Sequence, residues 1–217
     1  MEDLAGLTPD PEHDALLVVD LQPDFMPGGP LAVAGGDEIA GPIGTLARRF
    51  RTVVATQDWH PPGHVSFAST HARPPFQAVE LHGAAQVLWP DHCLQGTPGA
   101  QLHAALPDEV LTLVVRKGAR ADVDSYSAFR ENVGPGGARP TTGLDALLRA
   151  RGVRHLFVCG LARDYCVAST AIDAARAGFR VTLLDGLTRP VDPSAAARAA
   201  TDAALAEAGV AVRGGAS

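Results

Sequence analysis

The feature that most constrains the fold is an alternation of short apolar runs with longer stretches rich in Ala, Leu and Arg. Apolar runs of about five residues fit strands that are buried on both faces, and the stretches between them have the composition of helices. Repeated β-α units of this kind form a parallel sheet with helices on both sides. The alternation predicts a three-layer α/β/α fold around a six-stranded, mostly parallel sheet.

Six strands and four helices are predicted from this pattern. The predicted strands are 15–19, 52–56, 111–115, 155–159, 180–184 and 210–212, and the predicted helices are 37–49, 142–151, 164–177 and 193–208. Gly152 and Gly178 follow the second and third helices, where glycine relieves the left-handed cap position. Since 217 residues are the length of one sizeable core, we expect a single domain over residues 1–217.

Two long segments, 59–100 and 120–141, do not fit the alternation. The first is rich in His, Pro and Gly, and both hold aromatic residues. Connections of this length inside a compact domain are usually functional or disordered. Because of their aromatic residues and histidines, we expect them to be functional loops.

The net charge and the hydropathy of the chain limit the classes of molecule that the protein is expected to bind. The net charge is −6 and the basic residues are scattered, so neither a nucleic acid nor an anionic membrane is expected to bind. The acidic N-terminal stretch leads into the apolar run ALLVV, far too short for a signal sequence or a membrane span. We therefore expect a soluble, cytoplasmic protein that acts on a small molecule, and assembly of identical chains stays open.

Ionisable residues follow four predicted strands at the points where the strands end. Asp20 follows the first, Asp58 and His60 the second, Lys117 the third and Cys166 the fourth. Each alone has an ordinary explanation as a turn, cap or core residue. In open α/β sheets, however, ligands bind outside the carboxyl ends of the strands, so ionisable residues after four strands in register predict one reactive site.

Lys117 is the only lysine among 18 basic residues, the other 17 being arginine. Arginine carries its permanent charge on a planar fork, whereas lysine is a compact charge on a flexible stem whose pKa changes on burial. A site that needs a cation beside a thiol and a carboxylate, without room for a fork, requires lysine. We therefore expect Lys117 to belong to the reactive site.

The three cysteines, which the cytoplasm would keep reduced, are interpreted one by one. Cys166 lies near the start of a predicted helix, where the helix dipole and a nearby ammonium lower a thiol pKa, with Arg163 as a further source of positive charge. It is therefore the candidate nucleophile. Cys159 lies inside a predicted strand and Cys93 beside His92, and both are expected to be packing residues.

The motif DWHPPGH at residues 58–64 predicts metal ligands. Asp58 and His60 are two residues apart, so their side chains point the same way in an extended segment. Six of the eight histidines lie between residues 60 and 103, and the candidates for a third ligand are His64, His71, His82 and His92. Two histidines and one carboxylate suit zinc, iron(II) or manganese. The alternative is a set of ordinary surface histidines in a loop rich in Pro and Gly.

Taken together, these motifs resemble those of the nicotinamidases, also called pyrazinamidases, of the isochorismatase-like cysteine hydrolases. The resemblance covers nearly all of residues 15–190 and is carried by ALLVVDLQPDFMPGGPLAV, VVATQDWHPPGHVSFAS, QVLWPDHCLQGTPGA, VVRKG, DVDSYSAF, VCGLARDYCVASTA and LLDGLTRPV. It implies an isochorismatase-like fold and a metal-dependent hydrolase that converts nicotinamide to nicotinic acid and ammonia through a thioester, in NAD salvage. Pyrazinamide-like amides are implied as further substrates.

The resemblance also implies roles for individual residues. The catalytic triad would be Asp20, Lys117 and Cys166, and the ligands of one divalent ion, zinc before iron or manganese, would be Asp58, His60 and His92, with His64 beside them. The peptide bond Leu161–Ala162 would be cis, and the N–H groups of Ala162 and Cys166 would form an oxyanion hole. The slot for a flat aromatic ring would be lined by Phe25, Trp89 and Tyr126, with Tyr165 near its mouth.

One residue departs from the family's pattern. Arg163 stands where a threonine is usual, so we expect it to affect mainly substrate access or thiol reactivity.

Two other functions stay open. A related hydrolase of N-carbamoyl or ureido amides would share the triad but generally lacks the metal residues. A thiol redox protein would use Cys159 and Cys166, although their spacing is not C-x-x-C.

Overall fold

The computed structural model describes residues 6–214, and a sheet of six strands lies at its centre. The eight strands in chain order are β1 Asp14–Val19, β2 Thr52–Asp58, β3 Ala78–Leu81, β4 Ala84–Val87, β5 Leu113–Lys117, β6 His155–Leu161, β7 Arg180–Arg189 and β8 Ala211–Arg213. The central sheet has the order β5-β2-β1-β6-β7-β8, and all five neighbouring pairs are parallel. The predicted six-stranded sheet is confirmed, with every strand pair parallel.

Within residues 6–214, four α-helices cover this sheet. They are α1 Ala40–Ala47, α2 Leu144–Ala150, α3 Ala168–Arg176 and α4 Ala195–Glu207. Two begin differently from the prediction, because a 3-10 turn at Asp37–Ile39 precedes α1 and a π-helical turn at Arg163–Val167 precedes α3. The second turn matters most, since it carries two of the candidate site residues, Tyr165 and Cys166.

The core lies on both faces of the sheet. In β1, Leu16 and Val18 pack into one hydrophobic cluster, whereas Ala15, Leu17 and Val19 pack into another. Because side chains alternate along a strand, these clusters lie on opposite faces. Side chains of α1 belong to the first cluster and those of α2, α3 and α4 to the second, which gives three layers.

The hairpin β3-β4 was not predicted. It lies within the segment 59–100, and its strands join through the two-residue loop His82-Gly83, in which both residues have positive φ. Two positive φ values are typical of the tight turns that connect antiparallel strands. The strands are only four residues long and half-exposed, so their sequences lack the apolar run by which the buried strands were recognised.

No helix in the described part of the chain is both long enough and apolar enough to cross a membrane.

The strand order places β1 between β2 and β6, with β5 at the edge beyond β2. The carboxyl ends of these four strands therefore lie side by side, and each predicted site residue after a strand comes to the same edge.

Gly160 fixes the approach of β6 to β1. Its φ is +111°, and a Cβ atom there would lie 2.0 Å from the carbonyl oxygen of Val19. We predict that Gly160→Ala lowers the free energy of unfolding by about 3 to 5 kcal/mol, because a backbone clash adds to the unfavourable φ. Gly178→Ala is the matched control, since its φ is +91° but nothing lies within 4 Å, and it is expected to cost about 1 to 2 kcal/mol. Urea unfolding measures the free energy of unfolding of both variants. Equal losses of this free energy would show that β1 and β6 move apart at Gly160 without an energetic cost.

Candidate active site

Lys117, the last residue of β5, is the centre of the site. Its Nζ lies 2.8 Å from Oδ2 of Asp20, 3.3 Å from Sγ of Cys166 and 3.1 Å from the carbonyl oxygen of Ser125, to which it donates a hydrogen bond. It also donates to Oδ1 of Asp58. The structure thus brings the three predicted catalytic residues together, and the same ammonium reaches a predicted metal ligand.

Asp20 lies at the end of β1 with φ at 47°, a left-handed conformation that aspartate tolerates better than most residues. Thr56 fixes the carboxylate, since its hydroxyl accepts from the Asp20 N–H at 3.0 Å and donates to Oδ1 at 2.6 Å. Among the described residues, Oδ2 has no well-aligned hydrogen-bond donor and meets Lys117 as an ionic contact. One carboxylate oxygen is therefore left to accept a proton.

Burial and charge set the protonation of this carboxyl. Burial raises the pKa of Asp20 to about 6, with Asp58 adding to the rise and Lys117 offsetting part of it. Burial also opposes the charge on Lys117, but the neighbouring carboxylates and thiol outweigh it and hold the pKa of the lysine well above its usual value. At neutral pH the site therefore contains an ionised Asp20 whose proton affinity is unusually high, beside a permanent ammonium.

Cys166 lies in the π-helical turn, and its side chain faces the same site. The peptide bond Leu161–Ala162 before the turn is cis, as predicted. The expectation of a lowered thiol pKa is wrong: burial raises the pKa of Cys166 well above its usual value, and Lys117 only partly opposes the rise, to which Asp20 adds. Sequence position near a helix start did not reveal the complete burial or the nearby carboxylates.

The predicted metal ligands converge beside this cluster. Nε2 of His60 and Nε2 of His92 each lie 3.6 Å from Oδ2 of Asp58. Ligand atoms bound at about 2.0 to 2.1 Å in a tetrahedral zinc site are separated by roughly 3.3 Å, close to this spacing. Ligand type and spacing therefore fit a divalent ion held by two histidines and one carboxylate.

Hydrogen bonds on the far side of each imidazole orient these ligands. Nδ1 of His60 lies 2.9 Å from the carbonyl oxygen of Gly118, and Nδ1 of His92 lies 2.8 Å from that of Pro90. A carbonyl accepts only from a protonated nitrogen, so in the neutral form of each ring the proton lies on Nδ1 and Nε2 is the nitrogen free to bind a metal. The tautomer needed for metal binding is thus selected by the backbone.

The other candidate histidines lie outside this set. His64 stacks on His60 with ring centroids 4.1 Å apart, while its Nδ1 and Nε2 contact the Ser66 hydroxyl and the Val123 carbonyl. His71 and His82 each bond a backbone carbonyl elsewhere in the loops. Of the four candidates for the third ligand, His92 is the one that faces Asp58 and His60.

A narrow cavity opens over Cys166 and the predicted metal ligands. Its walls include Phe25, Leu31, Asp58, His60, Trp89, His92, Asp124, Tyr126, Ala162, Tyr165, Cys166 and Val191. All four aromatic residues predicted to line the slot are therefore present. Trp89 meets the edge of Tyr165 with centroids 4.7 Å apart and donates from Nε1 to the Tyr126 hydroxyl at 3.2 Å. These aromatic side chains, which contact one another edge to face, form a slot that suits a flat, small molecule.

Several supporting residues were missed by sequence reasoning. Gln22 accepts from the Asp58 N–H and donates to the Asp58 carbonyl, which fixes the backbone of a metal ligand. Asp124 lines the cavity, held by Gln86 and by the N–H of Ser125. The motifs DLQPDF and DVDSYSAF contain Gln22 and Asp124, but polar residues in loops give no signal of burial. A larger cavity beside β5, with Gln57 and Arg116 among its walls, contains none of these residues.

Arg163 does not line the cavity, which gives no support to a direct effect on substrate access; an effect on thiol reactivity stays a prediction. Its side chain is buried and donates to the carboxylates of Asp185 and Asp202 at 2.6 and 2.5 Å. Two carboxylates neutralise the guanidinium, so it is a poor source of positive field at the thiol. No pattern in the sequence indicates these distant partners.

The remaining cysteines are packing residues, as expected. Cys93 is buried, and its N–H donates to Oδ2 of Asp24 at 2.6 Å. Cys159 belongs to the hydrophobic cluster on one face of the sheet, whereas Cys166 belongs to the cluster on the other. This arrangement gives no support to a redox pair of Cys159 and Cys166.

Comparisons with known proteins agree with this geometry. The profile of the isochorismatase domain matches residues 14–213. A nicotinamidase of Acinetobacter baylyi is 46% identical over 179 residues, which cover 82% of this chain and 82% of the relative.

Solved structures have the same fold. PnC1 of L. infantum in complex with nicotinate matches with a TM-score of 0.81 and 44% identity, covering 95% of this chain and 94% of that one. A pyrazinamidase of Pyrococcus horikoshii in complex with zinc matches with a TM-score of 0.73 and 33% identity, covering 92% and 98% of the two chains. The chain belongs to the isochorismatase-domain family and, within it, to the group of nicotinamidases and pyrazinamidases.

Proposed function

We propose that this protein is a nicotinamidase that hydrolyses nicotinamide to nicotinate and ammonia, with Cys166 as the nucleophile. The observation that carries the proposal is the single ammonium of Lys117, which contacts the thiol, the Asp20 carboxylate and the metal-ligand carboxylate of Asp58 at the floor of an aromatic cavity. The similar proteins support it, since the relative named above is a nicotinamidase and a solved neighbour contains nicotinate.

The metal is part of the proposal. Asp58, His60 and His92 would hold one divalent ion, for which zinc is the first choice because a similar pyrazinamidase contains zinc, with iron or manganese as alternatives. When bound, the ion supplies a Lewis-acidic point that orients the substrate ring through its nitrogen, directly or through a water. The aromatic side chains of Phe25 and Trp89 then confine the ring in the slot.

The first chemical step is attack by the thiolate. Because its raised pKa keeps Cys166 protonated at rest, the thiol gives its proton to Oδ2 of Asp20 as sulfur attacks the carboxamide carbon. Lys117 stabilises the charge that develops between the thiol and the carboxylate. The N–H groups of Ala162 and Cys166 would receive the tetrahedral oxyanion, a contribution of about 3 kcal/mol for each donor in known enzymes.

The second half of the reaction uses the same acid and base. Protonated Asp20 gives its proton to the departing ammonia, which leaves a thioester on Cys166. A water molecule then transfers a proton to Asp20 and attacks the thioester. The C–S bond breaks, Asp20 returns its proton to sulfur to restore the thiol, and the acid product leaves as nicotinate, its proton passing to the released ammonia. Because the pKa of Asp20 is about 6, this carboxyl can both accept and return a proton near neutral pH.

The wider setting is also proposed. The family profile spans residues 14–213, which supports one catalytic domain over residues 1–217. Release of nicotinate from nicotinamide would serve NAD salvage in the cytoplasm. Close analogues such as pyrazinamide would enter the same slot.

The experiment that tests the function is ammonia release from nicotinamide by the metal-replete protein. We predict that Cys166→Ala lowers kcat by at least about 10⁴-fold, because the triad acts as a unit. Cys159→Ala is the matched control, since it also removes a buried thiol but from the opposite cluster, and it should keep native kcat. If the native protein released no ammonia, the assignment would be wrong, and N-carbamoyl and ureido amides would be assayed with the same variants.

The metal site is tested separately by metal content. We predict about one divalent ion per native chain and at least about tenfold less in His92→Ala, since two ligands hold an ion much less tightly than three. His71→Ala is the control, because His71 was a candidate ligand but bonds the Val65 carbonyl instead. Elemental analysis after dialysis gives both the amount and the identity of the metal. A native metal content in His92→Ala would remove His92 from the ligand set.

A further inference from the structure

We propose that Arg163 is a positioning residue, which holds the turn carrying Cys166 against β7 and α4 and thereby sets the place of the nucleophile. This inference rests on the proposed function, because it assigns a role in the same active site. Arg163 is the first residue of the π-helical turn, and Cys166 is three residues further on. Its partners lie on two other elements, Asp185 on β7 and Asp202 on α4.

The ion pairs of Arg163 form a closed, charge-balanced group. Its Nε donates to Oδ1 of Asp185 at 2.6 Å, and its Nη2 donates to Oδ1 of Asp202 at 2.5 Å. Arg198 of α4 contacts the same two carboxylates, at 2.9 Å to Asp185 and 3.6 Å to Asp202. Two arginines and two aspartates therefore join the turn, the strand and the helix.

Burial makes the Arg163 contacts more than surface ion pairs. The Arg163 side chain is 3% exposed and that of Asp185 is 8% exposed, whereas Asp202 and Arg198 are 42% and 44% exposed. Exposed pairs contribute little, but a guanidinium withdrawn from water must keep its hydrogen bonds. The rigid fork of arginine reaches two carboxylates at once, which fixes a direction as well as a distance.

The next residue provides a second attachment in the same direction. The carboxylate of Asp164 accepts hydrogen bonds from the N–H groups of Val191 and Asp192, both at 2.9 Å. Two consecutive side chains thus hold the turn, Arg163 to β7 and α4 and Asp164 to the segment after β7. The following two, Tyr165 and Cys166, line the cavity.

Placement of the thiol depends on this turn alone, whereas most of the binding slot does not. Sγ of Cys166 lies 3.3 Å from Nζ of Lys117, which β5 carries, so a shift of the turn changes this distance directly. Phe25, Trp89 and Tyr126 line the slot from other parts of the chain. A displaced nucleophile slows chemistry by roughly 100-fold for each ångström, so the loss should appear in kcat more than in KM.

The test compares Arg163→Met and Arg163→Lys with a matched control, Arg139→Met. Arg139 pairs at 3.2 Å with Asp173, which is 8% exposed and lies in α3 directly after the turn, so the control also removes an arginine from a largely buried aspartate. For each metal-replete variant, kcat and KM for nicotinamide, the melting temperature and the rate of Cys166 alkylation by iodoacetamide at one pH are measured. Peptide mass spectrometry assigns the alkylation to Cys166.

We expect Arg163→Met to lower kcat by roughly 10- to 100-fold with KM changed by less than about threefold, and to alter the alkylation rate at least about threefold. Arg163→Lys, which keeps the charge without the fork, should restore part of kcat. Arg139→Met should change the melting temperature without changing kcat or alkylation. If Arg163→Met does not fold, the same comparison is made with Arg163→Lys.

The proposal is overturned if the Arg163 variants lose thermal stability but keep native kcat and a native alkylation rate, or if Arg139→Met changes kcat and alkylation as much as they do. Failure of the proposed function is recognised separately. In that case the native protein releases no ammonia from nicotinamide, while the alkylation rates still report whether Arg163 positions the thiol.

Discussion

The contact set of the Lys117 ammonium is the interaction on which the rest of the site depends. One buried nitrogen meets the Asp20 carboxylate, the Asp58 carboxylate and the Cys166 thiol, which come from three different parts of the chain. Two buried carboxylates without this cation would repel each other and lose their main compensation for burial. Lysine suits the position because its charge is compact, whereas a planar guanidinium would need more room between the partners. The one lysine of the sequence thus joins the proposed nucleophile to the proposed metal ligands.

The fold supplies this convergence through the order of its strands. Asp20, Asp58 and Lys117 follow or end β1, β2 and β5, which are neighbours in the sheet, and the Cys166 turn follows β6 on the other side of β1. Because all these strands are parallel, their carboxyl ends share one edge. The carboxylate of Asp58 faces both ways, toward Lys117 through Oδ1 and toward the two histidines through Oδ2. In the proposed mechanism, the groups that orient the substrate and the group that attacks it therefore lie at the same edge of the sheet.

The sequence was informative where structure follows from local pattern. Runs such as ALLVV are apolar because both faces of the sheet are covered, so the six strands and the residues at their ends were predictable. The hairpin β3-β4 was not, because its half-exposed strands carry no such run. The raised pKa of Cys166 and the direction in which the Arg163 side chain points depend on partners 20 or more positions away. No spacing in the sequence contains that information. Orientation of His60 and His92 by backbone carbonyls likewise exists only in the folded chain.

The most direct test of the central claim is the kcat of Lys117→Arg for nicotinamide, with circular dichroism confirming that the variant is folded. If the site needs a compact point charge shared by a thiol and two carboxylates, arginine keeps the charge but displaces its partners, and kcat should fall by at least about 100-fold. If Lys117→Arg folds and hydrolyses nicotinamide within about threefold of the native rate, positive charge alone suffices. The contact geometry of Lys117 would then not be what the catalytic site depends on.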